Sequence, residues 1–204
     1  MSTPESILAI YDRVGPAWAR NRDRRLTERR WLDRMISAAP HQNGRRKVLD
    51  LGCGAGRPIA EYLVDRGIEV VGVDGAASMI ALFRANLPTM RAIHRDMRRL
   101  QLAETFDAIL AWDSFFHLSP ADQRAMFPVF AQHLATNGVL MFTSGPEEGI
   151  AMGTVEGEAI YHASLSAQEY SDLCTANGLT VLHHVVADPT CGDLTIWLVR
   201  RADD

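Results

Sequence analysis

Short apolar runs alternate with longer stretches of helical periodicity from about residue 45 onward. Each run is bounded by polar residues, glycine or proline, which is typical of buried parallel strands. We predict five such strands, at Lys47–Leu51, Glu69–Val73, Met90–Ile93, Phe106–Ala111 and Val139–Phe142. The stretches between them predict helices over 57–66, 76–86 and 120–135. Because strand–helix–strand units cross over with one hand, the pattern predicts an α/β fold with a doubly wound parallel sheet.

Proline and glycine residues mark the ends of two of these helices. Pro58 and Pro120 stand at first-turn positions, where the missing proline N–H costs no hydrogen bond. Asn137 and Gly138 follow the last of the three helices and predict its end.

The first 44 residues follow a different pattern. Residues 4–38 read as two helices, and eight arginines lie between Arg13 and Arg34. These arginines form either a basic flap over an anionic ligand or a solvated helical face, and the interspersed acidic residues favour the second interpretation. We therefore expect a single domain, 1–204, in which an N-terminal helical cap (1–44) covers a Rossmann-like core (45–204).

The C-terminal part also departs from the simple alternation. A Gly- and Glu-rich stretch after Gly145 is predicted as a loop to about residue 160, and a helix is predicted over 166–176. Two strand-like runs then follow with no helix between them, at Thr180–Ala187 and Leu194–Val199. Strands joined without a helix predict an antiparallel hairpin at the end of the sheet.

Composition narrows the class of protein. The chain has 204 residues, 47% hydrophobic and 23% charged, with a formal net charge of -4. Nothing in this balance predicts binding to nucleic acid or to an anionic membrane. The three cysteines form no CxxC pair, and we predict neither a zinc site nor a disulfide framework. With no signal pattern or long apolar run, we expect a cytoplasmic protein, as a monomer or a homodimer.

The strongest local motif is the glycine-rich turn that follows the first predicted strand. It reads Asp50-Leu51-Gly52-Cys53-Gly54-Ala55-Gly56 and leads into a predicted helix. Glycines allow a tight turn and close approach to a ligand, which then faces the helix N-terminus. Arg57 replaces the third glycine of a dinucleotide-binding GxGxxG motif, and no Gly-Lys-Ser/Thr follows, which excludes a Walker loop.

An acidic residue, Asp74, ends the second predicted strand. It lies 22 residues after Gly52, at the tip where a carboxylate can accept hydrogen bonds from both hydroxyls of a ribose. Nicotinamide dinucleotides and S-adenosylmethionine both contain such a ribose, so Asp74 does not distinguish them. The same side chain could also cap the helix that begins near Ala76.

In these motifs the sequence resembles the class I S-adenosylmethionine-dependent methyltransferases over about residues 45–200. The resemblance rests on five segments in order: Val48–Gly56, Asp74, His94–Met97, Phe106–His117 and Leu134–Leu140. It implies a seven-stranded, mostly parallel sheet of order 3-2-1-4-5-7-6, with strand 7 antiparallel and helices on both faces. It also implies S-adenosyl-L-methionine as cofactor and S-adenosyl-L-homocysteine as product.

The resemblance further implies which residues contact each part of the cofactor. The methionine half is assigned to Asp50, Gly52, Cys53, Gly54 and Gly56. The ribose is assigned to Asp74 with Gly75, and the adenine to Met79, Asp96 and Met97. The sulfonium is assigned to Ala111 and Trp112. Two alternatives stay open, since Met79 could be a core residue and Asp96 a loop cap.

Acceptor chemistry is expected after the fourth strand, where open sheets place their ligands. Asp113 and His117 are candidate bases there, among aromatic side chains, although His117 could instead make a structural hydrogen bond. Tyr161 and His162 follow the loop 145–160 and are candidate substrate contacts from a lid.

Several classes of methyltransferase lack their motifs in this chain. No Asn/Asp-Pro-Pro-Tyr segment or Pro-Cys pair follows the fourth strand, and Asp113 is the single suitably placed acidic ligand, so we predict no metal. A small-molecule acceptor remains. The alternatives are a non-catalytic module that binds the cofactor, such as a partner subunit of another methyltransferase, and an NAD(P)-dependent oxidoreductase.

Overall fold

A computed structural model describes residues 2–41 and 44–203 of the chain. Its main sheet has seven strands in the order β3-β2-β1-β4-β5-β9-β8, and two further strands form a separate hairpin, β6-β7. The strands are β1 (Lys47–Leu51), β2 (Glu69–Asp74), β3 (Arg91–His94), β4 (Phe106–Ala111), β5 (Leu134–Ser144), β6 (Gly149–Val155), β7 (Glu158–Ser164), β8 (Leu179–Asp188) and β9 (Leu194–Arg201).

Six α-helices accompany these strands. They are α1 (Ile7–Asn21), α2 (Arg29–Ala38), α3 (Ile59–Asp65), α4 (Ala77–Asn86), α5 (Pro120–His133) and α6 (Ala167–Ala176). Two buried clusters of apolar side chains fill the two faces of the sheet: one includes Phe115, Phe127 and Phe142, the other Trp31 and Phe83. The sheet is therefore covered on both faces, as an α/β fold requires.

The predicted sheet order is confirmed once the β6-β7 hairpin is set aside. β8 and β9 are then the sixth and seventh strands, and the order reads 3-2-1-4-5-7-6. β9 runs antiparallel to both β5 and β8, whereas β1 to β5 pair in parallel. The two N-terminal helices are also present, as α1 and α2.

The prediction of a loop over 145–160 was wrong for most of its length. β6 and β7 pair from Gly149↔Ser164 to Val155↔Glu158. Glu156 and Gly157 join them with φ angles of 48° and 81°, the left-handed pair that a tight hairpin turn requires. The glycine- and glutamate-rich composition hid this hairpin, since side chains on its outer face remain solvated.

Two predicted helix ends were also wrong. Pro58 is the residue before α3 rather than part of its first turn. α5 ends at His133, and β5 begins directly at Leu134, so Asn137 and Gly138 lie within the strand instead of closing the helix. Asn137 has a φ of 59°, and the β4–β5 register shifts between Phe106 and Ala108 in the same region. The Asn-Gly pair thus belongs to a strand irregularity.

Candidate cofactor and active site

A cavity lies at the carboxyl ends of β1, β2 and β4, and α1 forms its opposite wall. The core contributes the loop after β1, the tip of β2, the turn after β3 and the segment after β4. These elements supply Asp50, Gly52, Cys53, Gly54, Gly56, Asp74, Gly75, Met79, Asp96, Met97, Trp112, Asp113, Ser114 and His117. Parallel strands bring these distant residues to one edge of the sheet, which is where open α/β sheets bind ligands.

Gly52 shows why the loop after β1 requires glycine. Its φ is 74°, and a Cβ atom built on it would lie 2.3 Å from the Ser114 Cβ. Its N–H donates to the Val73 carbonyl at 2.8 Å, and the Ser114 hydroxyl donates to the Leu51 carbonyl at 2.7 Å. The loop is therefore fixed between β2 and the segment after β4 before any ligand binds.

Asp74 ties the glycine loop to the start of α4. One carboxylate oxygen accepts from the Gly54 N–H at 2.9 Å, and the other accepts from the Ala76 N–H at 2.8 Å. Burial raises the pKa of Asp74, while these amide hydrogen bonds lower it. Asp74 is therefore not the N-cap that the sequence suggested, because Ala76 is the N-cap of α4 and no side chain caps this helix. Each oxygen still has acceptor capacity for a ligand on the cavity side, because a carboxylate has about four acceptor positions.

Asp50 is buried within β1, with 5% of its surface exposed. Burial raises its pKa to about 7, the Asp74 charge adds to the rise, and Arg22 opposes it. A ligand cation beside Asp50 would favour the ionised form. The position is therefore suited to a positively charged group.

Asp96 is held by Arg98, two residues further along. The guanidinium reaches both carboxylate oxygens at 2.6 to 3.0 Å, and the Arg98 backbone N–H donates to one of them at 3.0 Å. Arg98 also contacts Asp122 in the first turn of α5, at 3.2 Å. The pKa of Asp96 is below its ordinary value, because hydrogen bonds and charge from Arg98 outweigh burial. Asp96 caps the short helix at Met97–Arg99, so the loop-cap alternative is part of its role.

Helix α1 supplies a cavity wall that the sequence did not predict. Tyr11, Trp18 and Arg22 line the cavity together with residues at the start of the helix. Trp18 lies 3.4 Å from the position that a Cβ on Gly54 would occupy. Of the eight N-terminal arginines, Arg22 alone lines the cavity, while others form exposed ion pairs such as Arg13–Glu158. The arginines therefore form mainly a solvated face.

His117 joins three elements through its two ring nitrogens. Nδ1 lies 2.9 Å from the Tyr161 carbonyl, which accepts, so this nitrogen carries a proton. In the neutral ring Nε2 is then an acceptor, and it receives the Tyr11 hydroxyl at 3.1 Å. Burial lowers the pKa of His117 to about 4 and raises that of Tyr11 above its usual range. The pair is therefore neutral near pH 7.

Asp113 lies on the same wall, beyond Trp112. Its backbone is left-handed, with a φ of 48°, and its N–H donates to the Thr143 hydroxyl at 2.9 Å. Burial raises the pKa of Asp113 to about 6, with Arg22 opposing and Glu28 adding to the rise. Its Oδ1 is buried and has no hydrogen-bond partner.

Three of the residues singled out in the sequence do not line the cavity. Ala111 is fully buried at the end of β4, and Tyr161 packs in the cluster that includes Ile7 and Ile10. His162 lies behind the wall, with its ring 4.7 Å from Phe116 and 4.9 Å from His117. The structure thus brings His117 and Asp113 to the cavity but places Tyr161 and His162 in the layer behind it.

The described residues contain neither a membrane-spanning helix nor a cluster of metal-ligating side chains. None of their helices is long and apolar enough to cross a membrane. Across 2–41 and 44–203, no group of three or more His, Cys, Asp or Glu side chains could hold a metal ion.

Comparison with known proteins identifies a domain in the region that builds this cavity. Residues 48–138 match the family model described as a methyltransferase domain. A malonyl-acyl-carrier-protein O-methyltransferase of Bacillus anthracis is 33% identical over 57% of this chain and 42% of its own length. A dTDP-3-amino-3,6-dideoxy-alpha-D-glucopyranose N,N-dimethyltransferase of Streptomyces fradiae is 32% identical over 71% of this chain and 58% of its own length. The chain thus spans only about half the length of these curated relatives.

Solved structures show the same fold over nearly the whole chain. An amino pentose methyltransferase from Micromonospora echinaspora aligns with a TM-score of 0.69 and 21% identity, covering 90% of this chain and 93% of its own. A methyltransferase from Streptomyces caelestis aligns with a TM-score of 0.74 and 17% identity, covering 93% and 96%. A cyclase shares the fold as well, with a TM-score of 0.70. The chain therefore has the fold of class I methyltransferases, and its chemistry must be argued from the site.

Proposed function

We propose that this chain is an S-adenosylmethionine-dependent methyltransferase that acts on a small-molecule acceptor. The observation that carries the proposal is the placement of three carboxylates, Asp50, Asp74 and Asp96, along one cavity. Each stands on or after a different parallel strand. S-Adenosylmethionine presents three donor groups along its length, namely the ammonium, the ribose diol and the adenine amine, and a carboxylate suits each of them.

The cavity residues fit the cofactor in both chemistry and order. Asp50 would hold the ammonium, with Gly52, Cys53, Gly54 and Gly56 around the methionine half. Asp74 and Gly75 would hold the ribose. Asp96, Met97 and Met79 would hold the adenine, and Ala111 and Trp112 would lie near the sulfonium, with Ala111 acting from behind the wall. When bound, the cofactor supplies an activated methyl group, and S-adenosylhomocysteine remains.

The chain itself would bind and orient the acceptor beside that methyl group. Alignment of two reactants can supply much of the acceleration in such a displacement. Asp113 and His117 line the cavity and can receive hydrogen bonds from an acceptor, although His117 would have to exchange its bond to Tyr11. Tyr161 and His162 would act from the layer behind, Tyr161 by orienting His117 through its carbonyl.

The relatives support a small-molecule acceptor, and the alternatives find less support. A nicotinamide-dependent oxidoreductase is disfavoured by Arg57 in place of the third glycine and by the sheet order with its antiparallel β9. A module without catalytic activity would not need a buried carboxylate and a neutral histidine beside the cofactor position. Turnover of an acceptor distinguishes an enzyme from such a module.

Isothermal titration tests the cofactor assignment. We expect micromolar binding of S-adenosylhomocysteine and no comparable binding of NADH. Asp74→Asn and Asp96→Asn should each weaken S-adenosylhomocysteine binding about tenfold or more, a change of about 1.4 kcal/mol. Asp172→Asn is a matched control, because Asp172 lies exposed on α6. Preference for NADH, or equal binding by all variants, would refute the proposal.

A further inference from the structure

Asp113 differs from Asp74 and Asp96 in having a buried carboxylate oxygen without a hydrogen-bond partner. Asp74 accepts from two backbone amides, and Asp96 is held by Arg98. Asp113 Oδ1 is buried without a hydrogen-bond partner, although the residue lines the cavity. A buried acceptor without a partner costs about 1 to 3 kcal/mol, so its retention calls for an explanation.

The backbone at Asp113 is left-handed and held in place. Its φ is 48°, a conformation that aspartate adopts more readily than most non-glycine residues. The hydrogen bond from Asp113 N–H to Thr143 Oγ1 fixes it on one side. On the other side, Ser114 Oγ donates to the Leu51 carbonyl. These two hydrogen bonds fix the direction in which the Asp113 side chain leaves the backbone.

The surroundings of Asp113 favour a cation as its partner. Arg22 is close enough to lower the pKa of Asp113 by its charge, but its guanidinium hydrogen-bonds Glu28 at 3.4 Å. The aromatic rings of Tyr11, Trp18 and Trp112 line the same cavity. Aromatic faces attract cations, and a carboxylate among them adds full charge complementarity.

We propose that the acceptor is an amine, and that Asp113 is the residue that recognises its nitrogen as an ammonium group. This inference rests on the proposed methyltransferase function and assigns the acceptor atom. An ammonium group supplies the donors that Asp113 lacks. A methylated amine is again a cation, and the carboxylate faces it with full charge once Asp113 has passed the amine proton to solvent.

Asp113 also provides the place for the proton that the amine must lose. The ammonium N–H bond breaks with its electron pair left on nitrogen, and the proton forms an O–H bond on the carboxylate. Both groups become neutral, and the nitrogen gains the lone pair that it needs as a nucleophile. A hydroxyl acceptor would require a stronger base, because an alcohol gives up its proton far less readily than an ammonium group.

Binding of matched probe pairs tests the inference without turnover. The probes are benzylamine with benzyl alcohol, and glucosamine with glucose, titrated at pH 7.5 into the protein with and without S-adenosylhomocysteine. We expect at least one amine to bind about tenfold more tightly than its alcohol partner. Asp113→Asn should remove that preference and leave S-adenosylhomocysteine binding unchanged. Asp96→Asn should weaken S-adenosylhomocysteine binding and leave the amine preference unchanged, since Asp96 is assigned to the adenine end.

The two variants separate failure of this inference from failure of the proposed function. If S-adenosylhomocysteine binds but neither amine is preferred, or if the preference survives in Asp113→Asn, the amine assignment is overturned alone. If S-adenosylhomocysteine does not bind, the proposed function fails, and the amine preference of the free protein is judged separately. Amine affinity should also fall as pH falls through about 6, because burial raises the pKa of Asp113 to about 6 and protonation removes its charge.

Discussion

Tyr11 and His117 share a hydrogen bond of 3.1 Å that joins α1 to the segment after β4. The two residues are separated by 106 positions in the chain and face each other across the cavity wall. Their rings also pack edge to face, with centroids 5.4 Å apart. This pair fixes the position of α1 over the site, and His117 in turn is anchored to the hairpin through the Tyr161 carbonyl.

A double-mutant cycle tests this link. Tyr11→Phe removes the hydroxyl and leaves the His117 Nε2 without its donor, so we expect a loss of about 1 kcal/mol in the free energy of unfolding. His117→Asn should cost more, but the double variant should cost about 1 kcal/mol less than the sum. Urea denaturation measures all three. Tyr62→Phe is the control, since the Tyr62 hydroxyl donates to Asp33 and not to His117. Its loss of unfolding free energy should add to that of His117→Asn. Additive Tyr11 and His117 effects would contradict the link.

Asp113→Asn should raise stability while it removes amine binding. The pKa of Asp113 is raised from 3.8 to about 6 by burial, so the folded state binds this proton more tightly than the unfolded chain. The ionised carboxylate therefore destabilises the fold fully above pH 6, and this penalty disappears as pH falls to about 4. Asparagine carries no charge and tolerates left-handed backbone. The variant should be more stable by about 3 kcal/mol at pH 7.5.

Urea denaturation of both proteins at pH 7.5 and pH 4 measures this difference. The advantage of Asp113→Asn over the wild type should close at the lower pH. A difference that is the same at both values would show that ionisation of Asp113 does not affect folding stability.

Gly52→Ala should be much more damaging than Gly67→Ala. The two glycines have nearly equal φ angles, 74° and 76°, so both substitutions carry similar left-handed strain of about 1 kcal/mol. A Cβ at Gly52 would also lie 2.3 Å from Ser114, whereas nothing lies within 4 Å of one at Gly67. We expect thermal denaturation to show that Gly52→Ala lowers the free energy of unfolding by about 1 to 3 kcal/mol more than Gly67→Ala does. Equal losses would mean that the loop can move away from Ser114.

Arg98→Ala should weaken S-adenosylhomocysteine binding through Asp96. Without Arg98 the Asp96 carboxylate loses its bidentate partner, its orientation and the charge that lowers its pKa. We expect affinity to fall about tenfold by isothermal titration, with a steeper loss below pH 5 than in the wild type. Arg99→Ala is the matched control, because Arg99 is exposed next to it, and should leave affinity within about twofold. Similar losses in both variants would point to general loss of positive charge.

Periodicity and local motifs predicted the strands of the main sheet, the glycine turn and the terminal hairpin. Local sequence was enough to locate the strand that ends at Leu51, the glycine turn after it and the carboxylate at Asp74. An apolar strand pattern, a glycine-rich turn and an acidic residue at the next strand end follow one another along the chain. The terminal hairpin followed from the absence of a helix between two strands.

The remaining features depend on packing between distant segments. Tyr11 and Trp18 carry no local mark of a binding site, so their place on the cavity wall follows only from the docking of α1. Tyr161 had the expected position in the chain, but the alternation of β7 turns its side chain into the cluster with Ile7 and Ile10. A strand that is off by one residue exchanges its two faces, and sequence could not fix that register.

The place of α1 also has a kinetic consequence. α1 lies over the cavity, with Trp18 against Gly54 and Asp12 accepting from the Ser78 N–H at 2.7 Å. Movement of this helix to admit or release a ligand would break and remake its bonds to Ser78 and His117. Such opening steps take microseconds to milliseconds and often limit turnover. Exchange of spent cofactor, rather than the chemical step, would then set the pace of the cycle.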